Sequence, residues 1–420
     1  MRFFFRLALP ACLGTGALFG VLTACSDDGD TSFGPNYGDL PQHDGASDAA
    51  ADGDIIDISD GSTDGPKPGC TTGAVAVVAG QPDKLTASVD RGRGFAVALL
   101  TGGAAVSFPA VVGVGNGFLA VTRGASNALQ WSQYTTSWSK PAALGAGSQG
   151  TPTLAADANG VHLVYASVNE QRFQHNVFDG TGWGNDEAVV GPTAATYSFG
   201  TDSAGIAVTA QDLAWAENGS NHGLYTRSRT TAWTDATAVN GAGTNAYDNQ
   251  TTATPQLVAI EGTYDTVAIF VGGANEQLSH PGYLLRKAAD KTWTFGGLLD
   301  ATLTTFQRLN VGRTRGGDVI VTMRASKPDI NGAGTGYYFR GTVSNDGVAF
   351  SAATPIGGDT AISVDATPSV AKGVCGDDAI LAFSSLGVVQ ITRLKDDAWT
   401  APAAIDGAAG YQVSVATIGN

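Results

Sequence analysis

The stretch that decides the fold is residues 152–190, "PTLAADANGVHLVYASVNEQRFQHNVFDGTGWGNDEAVV". It contains an apolar strand, an Asn-Gly turn, a second strand, a polar loop, a third strand and an Asp-Gly turn that leads to Trp183. Asn, Asp and Gly favour tight hairpin turns because they adopt positive φ at little cost. The stretch therefore predicts one antiparallel unit of β-sheet.

The same unit recurs along the chain. Residues 109–144 match it, and four further copies follow residue 190. Each copy closes with an aromatic residue, and these residues are Trp138, Trp183, Trp233, Trp293, Phe350 and Trp399. Their separations of 45, 50, 60, 57 and 49 residues are typical of a four-stranded propeller blade, whereas solenoid repeats are usually shorter and need capped ends. We expect these aromatics to pack in the wedges between neighbouring sheets.

The two ends of the repeat are incomplete by themselves. Residues 410–420, "GYQVSVATIGN", match the first strand of a unit and then stop, while residues 73–108 supply two or three strands before the first full copy. The simplest closure joins both termini in one shared blade. The sequence thus predicts an all-β fold, a β-propeller of seven blades of four antiparallel strands closed by both termini, with six or eight blades as the alternatives.

The amino terminus has the pattern of an export signal. Arg2 and Arg6 precede an uncharged run over residues 7–24, which contains a proline and several glycines and ends in small residues. A transmembrane helix is the alternative, because roughly 20 apolar residues can span a bilayer. The sequence "LTAC", residues 22–25, resembles the lipobox of bacterial lipoproteins. That resemblance implies that Cys25 is the first mature residue, carries lipid, and anchors the protein in the outer membrane, on its periplasmic or surface side.

Residues 26–69 hold eleven Asp and one Lys, which accounts for most of the chain's net charge of −15. A stretch so polar and self-repelling cannot bury enough apolar surface to fold, and it predicts an extended linker. The acids lack the ligand register of a calcium-binding loop. The predicted domains are a signal peptide (1–24), a lipidated cysteine with its acidic linker (25–69) and the propeller (70–420). The propeller shows no basic face, which argues against nucleic acid as a partner.

Cys70 and Cys375 are the remaining cysteines of the mature chain. An even pair in an exported protein favours a disulfide bond. A zinc site is the alternative, although no Cys-x-x-Cys motif and no nearby His accompany the two thiols.

Catalytic and metal-binding motifs are absent from the sequence. The five histidines lie apart along the chain, without a zinc-protease or nucleophile-elbow motif. His162 and His175 could face each other across a hairpin, where a hydrogen-bonded pair is favoured over a metal site that lacks a third ligand. We therefore predict no cofactor and no metal.

Two short segments resemble known propellers. "SNDGVAF", residues 344–350, resembles the Asp-box (BNR repeat) of sialidase-like propellers, and "FDGTGW", residues 178–183, resembles blade ends of sialidase-like and lectin-like propellers. Both resemblances concern the scaffold. A sialidase would also use an arginine triad on the substrate carboxylate, a Tyr nucleophile with a Glu, and an Asp acid. The family's Phe-Arg-Ile-Pro start is missing here, although several arginines are available: Arg123, Arg172, Arg227, Arg308 and Arg324.

Binding is therefore favoured over catalysis. Two aromatics outside the repeat pattern have suitable polar neighbours for a sugar, Trp131 with Arg123 and Trp215 with Glu217, and core packing is the alternative for both. The predicted function is that of an envelope-anchored lipoprotein whose non-catalytic propeller binds a carbohydrate or protein. The alternatives are a sialidase-like glycoside hydrolase and a structural or adhesin scaffold. The expected partners are the membrane, through the lipid, and a glycan or envelope protein.

Overall fold

Strands make up the fold wherever the structure describes the chain. The computed structural model describes residues 73–168, 173–189, 206–209, 211–216, 224–235, 237–239, 255–272, 280–305, 307–325, 334–357 and 362–419. The predicted signal segment, Cys25, the linker and Cys70 lie outside these residues, as do Arg172 and Glu217. Within the described ranges we find no helix of the length and apolarity needed to cross a membrane.

The strands of the described residues form seven antiparallel sheets, which are the blades. The first three strands complete a blade with the last one and are β1 (Ala74–Gly80), β2 (Leu85–Asp90) and β3 (Phe95–Leu99). Blade 1 consists of β4 (Ala110–Val114), β5 (Gly117–Arg123), β6 (Ala128–Tyr134) and β7 (Ala142–Gly147). Blade 2 consists of β8 (Thr153–Asp157), β9 (Gly160–Ala166), β10 (Phe173–Phe178) and β11 (Glu187–Val189).

The next two blades repeat this order of strands. Blade 3 consists of β12 (Ile206–Val208), β13 (Asp212–Ala216), β14 (Leu224–Ser228) and β15 (Thr237–Ala238). Blade 4 consists of β16 (Gln256–Ala259), β17 (Tyr264–Gly272), β18 (His280–Lys287) and β19 (Trp293–Leu298).

Blades 5 and 6 carry additional short strands. Blade 5 consists of β20 (Asn310–Arg313), β21 (Val319–Arg324), β22 (Gly334–Ser344) and β23 (Gly347–Phe350), with β24 (Thr354–Pro355) and β25 (Ser363–Val364) pairing to β22. Blade 6 consists of β26 (Ser369–Lys372), β27 (Ala379–Ser385), β28 (Val388–Lys395) and β29 (Ala398–Trp399), with β30 (Ala403–Ala409) pairing to β28.

The last strand closes the ring. Strand β31 (Gln412–Ile418) pairs with β1 along its whole length, from Ala74 opposite Ile418 to Gly80 opposite Gln412, and forms blade 7 with β1, β2 and β3. The innermost strands then contact one another in an unbroken circuit: β31, β4, β8, β12, β16, β20, β26 and back to β31. Seven blades and closure by both termini confirm the prediction from the incomplete ends.

Second strands are buried on both faces. All seven residues of β1, "AVAVVAG", are buried, and in β9 every residue after Gly160 is buried. A propeller sheet packs against a neighbour on each side, so its second strand meets protein on both faces and carries no alternating polar pattern. This packing explains the continuous apolar runs in the sequence.

The closing aromatics join each blade to the one before it. Trp183 of blade 2 packs against Trp131 of blade 1, with ring centroids 6.3 Å apart, and Phe350 of blade 5 packs against Tyr283 of blade 4 at 4.8 Å. Trp399 of blade 6 packs in the same way on blade 5. The predicted packing role of these residues is confirmed.

The two ends of the ring differ in the connections they carry. We call the end at which innermost strands begin the front face, and the opposite end the back face. Because strand direction alternates, hairpins between second and third strands also lie at the front. The contact between the β27–β28 hairpin and the loop before β26 shows this, since the Gly387 amide donates to Asp365 Oδ2 over 2.7 Å.

Candidate functional site

The centre of the front face holds an arginine against an aromatic ring. Arg308 precedes β20 of blade 5, and Phe108 precedes β4 of blade 1. The guanidinium carbon of Arg308 lies 4.0 Å from the centroid of the Phe108 ring. Blades 1 and 5 are not neighbours in the ring, because blades 6 and 7 separate them on one side and blades 2, 3 and 4 on the other. The contact therefore reaches across the ring axis; we call this pair the axial site.

The Arg308 guanidinium has no anionic partner in the described part of the chain. Its Nε is buried and makes no hydrogen bond there. Burial alone lowers the pKa of Arg308 to about 9, far below the usual arginine range. The Phe108 ring covers one face of the cation and offsets part of its desolvation. The buried Nε–H stays without an acceptor among the described residues, which is a costly state for a charged donor.

The loops that carry the axial site are held by hydrogen bonds. Gln307, next to Arg308, accepts the Thr367 amide at 3.0 Å through Oε1. The carbonyl of Pro109, next to Phe108, accepts the Ser414 hydroxyl over 2.5 Å. These bonds cross between blades and fix the loops before any ligand arrives. The site is therefore preorganised, which reduces the entropy lost on binding.

A second unsatisfied polar atom lies in the same loop as Phe108. The hydroxyl of Ser107 is buried and has no hydrogen-bond partner among the described residues. Buried hydroxyls without partners are rare and need an explanation such as a bound water or ligand. Each of the two loops that carry the axial site thus contains one buried polar atom without a partner among the described residues.

Exposed apolar side chains also concentrate on the front face. The large hydrophobic residues with high exposure in the described ranges are Leu99, Leu386 and Val388. Leu99 ends β3, and the other two flank the β27–β28 hairpin, so all three lie at the front of blades 6 and 7. Leu386 is 80% exposed and has a φ of 54°. This hairpin therefore presents an apolar side chain to solvent on the front face.

Trp131 and Arg123 do not form a free sugar-stacking pair. Trp131 is half-buried and packs against Phe178 of blade 2, with ring centroids 5.5 Å apart, as well as against Trp183. Arg123 Nη1 donates to the Gln149 carbonyl over 2.5 Å and to Asn127 Oδ1 over 3.2 Å. Both side chains therefore stabilise the contact between blades 1 and 2, which corresponds to the core-packing alternative.

The structure does not support the predicted sugar-binding role of Trp215 with Glu217. Its side chain is completely buried, stacks against Tyr225 at 5.7 Å and meets Phe173 of blade 2 at 5.6 Å. It lies on the second strand of blade 3, where sheets cover both faces, so its ring has no surface to offer a ligand. Glu217, its predicted neighbour, lies outside the described residues.

Cys375 lies in a turn on the back face. It occupies the β26–β27 connection with a φ of 62°, is exposed, and is disulfide-bonded. Its predicted partner Cys70 is outside the described residues, so their pairing stays a prediction. The topology agrees with it, because β1 starts at the back face of blade 7, next to blade 6.

The sequence analysis named Arg308 only as one of five arginines that a sialidase could use. No sequence pattern indicated Phe108 or Ser107 as site residues. Arg324 donates to the Val364 carbonyl over 3.1 Å, and Arg172 is outside the described residues. What distinguishes Arg308 is that it has no anionic partner within the described ranges and contacts Phe108 across the closed ring. No group of His, Cys, Asp and Glu in the described ranges is arranged to hold a metal ion.

Comparison with known proteins identifies the fold and nothing narrower. No family model and no curated protein matches this sequence. Among solved structures, a candidate 6-phosphogluconolactonase from Bacteroides fragilis has a TM-score of 0.52 at 12% identity, covering 84% of this chain and 100% of its own. A lectin from Aleuria aurantia in complex with Fucα1-6GlcNAc has a TM-score of 0.44 at 15% identity, covering 68% of this chain and 96% of its own. A fungal alcohol oxidase in complex with copper has a TM-score of 0.48 at 10% identity, covering 80% and 72%.

Proposed function

We propose that this chain is an envelope-anchored lipoprotein whose propeller binds an acidic carbohydrate at the axial site without transforming it. The observation that carries the proposal is the Arg308 guanidinium, whose buried Nε has no acceptor and which has no anionic partner in the described part of the chain. The lipobox at residues 22–25 supports the anchor through Cys25, which mass spectrometry of the mature amino terminus tests. The front face, with its exposed Leu386, is the binding surface.

A carboxylate is the group that fits Arg308. A guanidinium presents planar, parallel donors that match the two oxygens of a carboxylate, and such pairs are strong where water is excluded. The unsatisfied Ser107 hydroxyl suits a sugar hydroxyl next to that carboxylate. A hexuronic acid combines both groups in one small molecule. Its carboxylate would neutralise the positive charge of Arg308, which has no anionic partner among the described residues.

Calorimetry with glucuronate, and with glucose as its uncharged counterpart, tests this function. We expect glucuronate to bind and glucose to bind at least tenfold more weakly, because the charged hydrogen bonds are lost. Arg308→Met should abolish the preference, and Arg308→Lys should weaken binding because an ammonium lacks the planar fork. Arg315→Met is the matched control, since Arg315 is exposed in the back-face turn of the same blade. A peptide with a free carboxyl terminus, compared with its amide, distinguishes a protein ligand from a sugar.

The melting temperature of the same variants separates a binding role from a structural one. An unpaired buried charge destabilises a protein, so Arg308→Met should melt at or above the temperature of the unmodified chain. If Arg308→Met instead melts several degrees lower than Arg315→Met, the guanidinium is satisfied by the protein itself and the proposal is wrong. Equal binding of glucuronate by Arg308→Met would contradict it as well.

A further inference from the structure

Two buried histidines of blade 2 form the centre of a polar chain. His162 on β9 and His175 on β10 are both almost fully buried. His162 Nδ1 lies 2.9 Å from His175 Nε2, and the two rings are within 9° of parallel. A distance this short between two ring nitrogens indicates a hydrogen bond, which joins the edges of the two nearly parallel rings. The facing pair expected from the sequence is confirmed.

A carboxylate faces each outer nitrogen of the pair. His175 Nδ1 lies 3.2 Å from Glu187 Oε2, and His162 Nε2 lies 3.2 Å from Asp157 Oδ1. The second contact is within ion-pair distance but poorly aligned for a hydrogen bond, so we treat it as electrostatic. The chain thus runs from Asp157 through both rings to Glu187.

Counting hydrogens fixes the charge of this pair. The two facing nitrogens need one hydrogen between them, since two lone pairs or two N–H groups at 2.9 Å would repel. Each outer nitrogen lies 3.2 Å from a carboxylate oxygen, which would repel a lone pair, so each favours a hydrogen even where alignment for a hydrogen bond is poor. Three N–H groups on two imidazoles make one imidazolium. If both histidines were neutral, one outer nitrogen would direct its lone pair at a carboxylate. If both were protonated, the hydrogen bond between the two rings would be lost.

The polar chain also joins two blades. Arg229, which follows β14 of blade 3, lies 3.5 Å from the same Glu187 oxygen that faces His175. The ring of Trp233, also in blade 3, meets His175 edge-on at 5.4 Å between centroids. With one proton on the histidine pair, its positive charge and that of Arg229 balance Asp157 and Glu187. Any change in protonation therefore unbalances the contact between blades 2 and 3.

We propose that His162 and His175 hold a single shared proton at neutral pH, and that this proton makes the contact between blades 2 and 3 sensitive to pH in both directions. The proposal is independent of ligand binding at the axial site. A pair of this kind titrates in two macroscopic steps that belong to both rings together.

The sign of the acid step follows from burial. Desolvation is the largest influence on His175, and with the charges of Arg229 and His162 it lowers the pKa of His175, although Glu187 opposes it. A group with a lowered pKa in the folded state binds its proton more readily when unfolded. For this step alone, the stabilisation is therefore complete above the unfolded value of about 6.5 and falls as the pH drops toward the folded pKa of His175. On the alkaline side, stability falls when the shared proton leaves.

Nitrogen NMR of the imidazoles in the whole protein tests the shared proton directly. Between the two steps we expect three nitrogen signals of the protonated type and one of the acceptor type for His162 and His175 together. The step that adds a second positive charge should lie below the usual histidine pKa, because burial lowers the pKa of His175. Two neutral rings at pH 7, or a single step shared by both, would overturn the proposal.

Glu187→Gln provides a variant that keeps the shape of the site. Glu187 is 42% exposed, so its amide should be tolerated, and losing the anion should move the alkaline step to lower pH. Hydrogen exchange at residues 173–178 and 224–229 should then rise at a lower pH than in the unmodified chain. His280→Gln is the control, because His280 lies in blade 4, where its Nδ1 forms a hydrogen bond with the Leu303 carbonyl at 2.9 Å, and its replacement should shift neither step. An unmoved alkaline step in Glu187→Gln would refute the proton count.

Discussion

Single side chains link the blades through buried charge. Arg286 on β18 is buried and donates to Asp212 of blade 3 through Nη1 and Nη2 and to Asp265 of its own blade through Nε. Arg340 and Arg393, on the third strands of blades 5 and 6, also bind one Asp of their own blade and one of a neighbour. Breaking such a pair is costly, because water cannot solvate the charge that stays buried after its partner is lost.

Replacing Asp212 with Asn should therefore destabilise the protein markedly. Arg286 would keep Asp265 but lose its second carboxylate, and we expect the free energy of unfolding to fall by about 3 kcal/mol. Asp397→Asn is the matched control, because Asp397 pairs with Arg340 but is 77% exposed, and its loss should change stability by less than about 0.5 kcal/mol. Denaturant titration of both variants measures the difference. Equal effects would mean that burial does not strengthen these pairs.

The hairpin aspartates of the two propeller-like segments make different hydrogen bonds. Asp179 Oδ1 accepts the Thr181 amide and hydroxyl at 2.8 and 2.7 Å, and Asp290 binds Thr292 in the same way. These bonds hold the pKa of both carboxyls below the usual value. Asp346 shows no such bond within the described residues; instead its amide donates to Ser344 Oγ over 3.3 Å. A Thr two positions after the Asp is the signal that separates the two cases.

At the scale of the element, the wedge between two blades depends on one aromatic residue. Trp138, which closes blade 1, is buried in a cluster with residues of blade 7, including Ala74 and Val78. Its ring also meets Tyr134 at 5.5 Å. Because no other side chain of comparable volume comes from the same turn, its removal leaves a cavity between two sheets.

Trp138→Ala should accordingly lower the free energy of unfolding by about 3 to 5 kcal/mol, the usual effect of such a cavity. Leu386→Ala removes a large apolar side chain from a site that is mostly exposed, and it should change stability by less than about 0.5 kcal/mol. Chemical denaturation monitored by circular dichroism compares the two variants. A loss of less than about 1 kcal/mol in Trp138→Ala would show that the wedge is held by backbone pairing instead.

At the scale of the whole molecule, closure depends on eleven residues. Strand β31 is the innermost strand of blade 7 and contacts β26 and β4 on either side. Deleting residues 410–420 would leave β1 as an open edge and interrupt the inner circuit, which favours aggregation. We expect this deletion to lower the melting temperature by more than 10 °C or to prevent recovery of monomer, whereas deletion of residues 26–69 should leave it nearly unchanged. A C-terminal deletion that melts like the full chain would show that the ring closes without β31.

The repeat and its closure could be predicted from the sequence because they depend on local pattern. Turn residues, apolar runs and the spacing of the closing aromatics recur in each unit, and the incomplete units at the two ends leave one simple way to join them. The axial site could not be predicted, because Arg308 and Phe108 are 200 positions apart and meet only when seven blades set the ring's diameter. The same holds for Arg393 and Asp90, which lie 3.0 Å apart across a blade boundary.

The pairing of β1 with β31 also determines how the molecule bears mechanical load. The chain enters β1 at the back face, so tension applied through residues before 73 while the front face is held acts along the strands. The bonds of an antiparallel ladder run perpendicular to its strands, and tension in this direction loads all seven residue pairs of β1 and β31 in shear. Opening then requires many bonds to break together instead of one at a time.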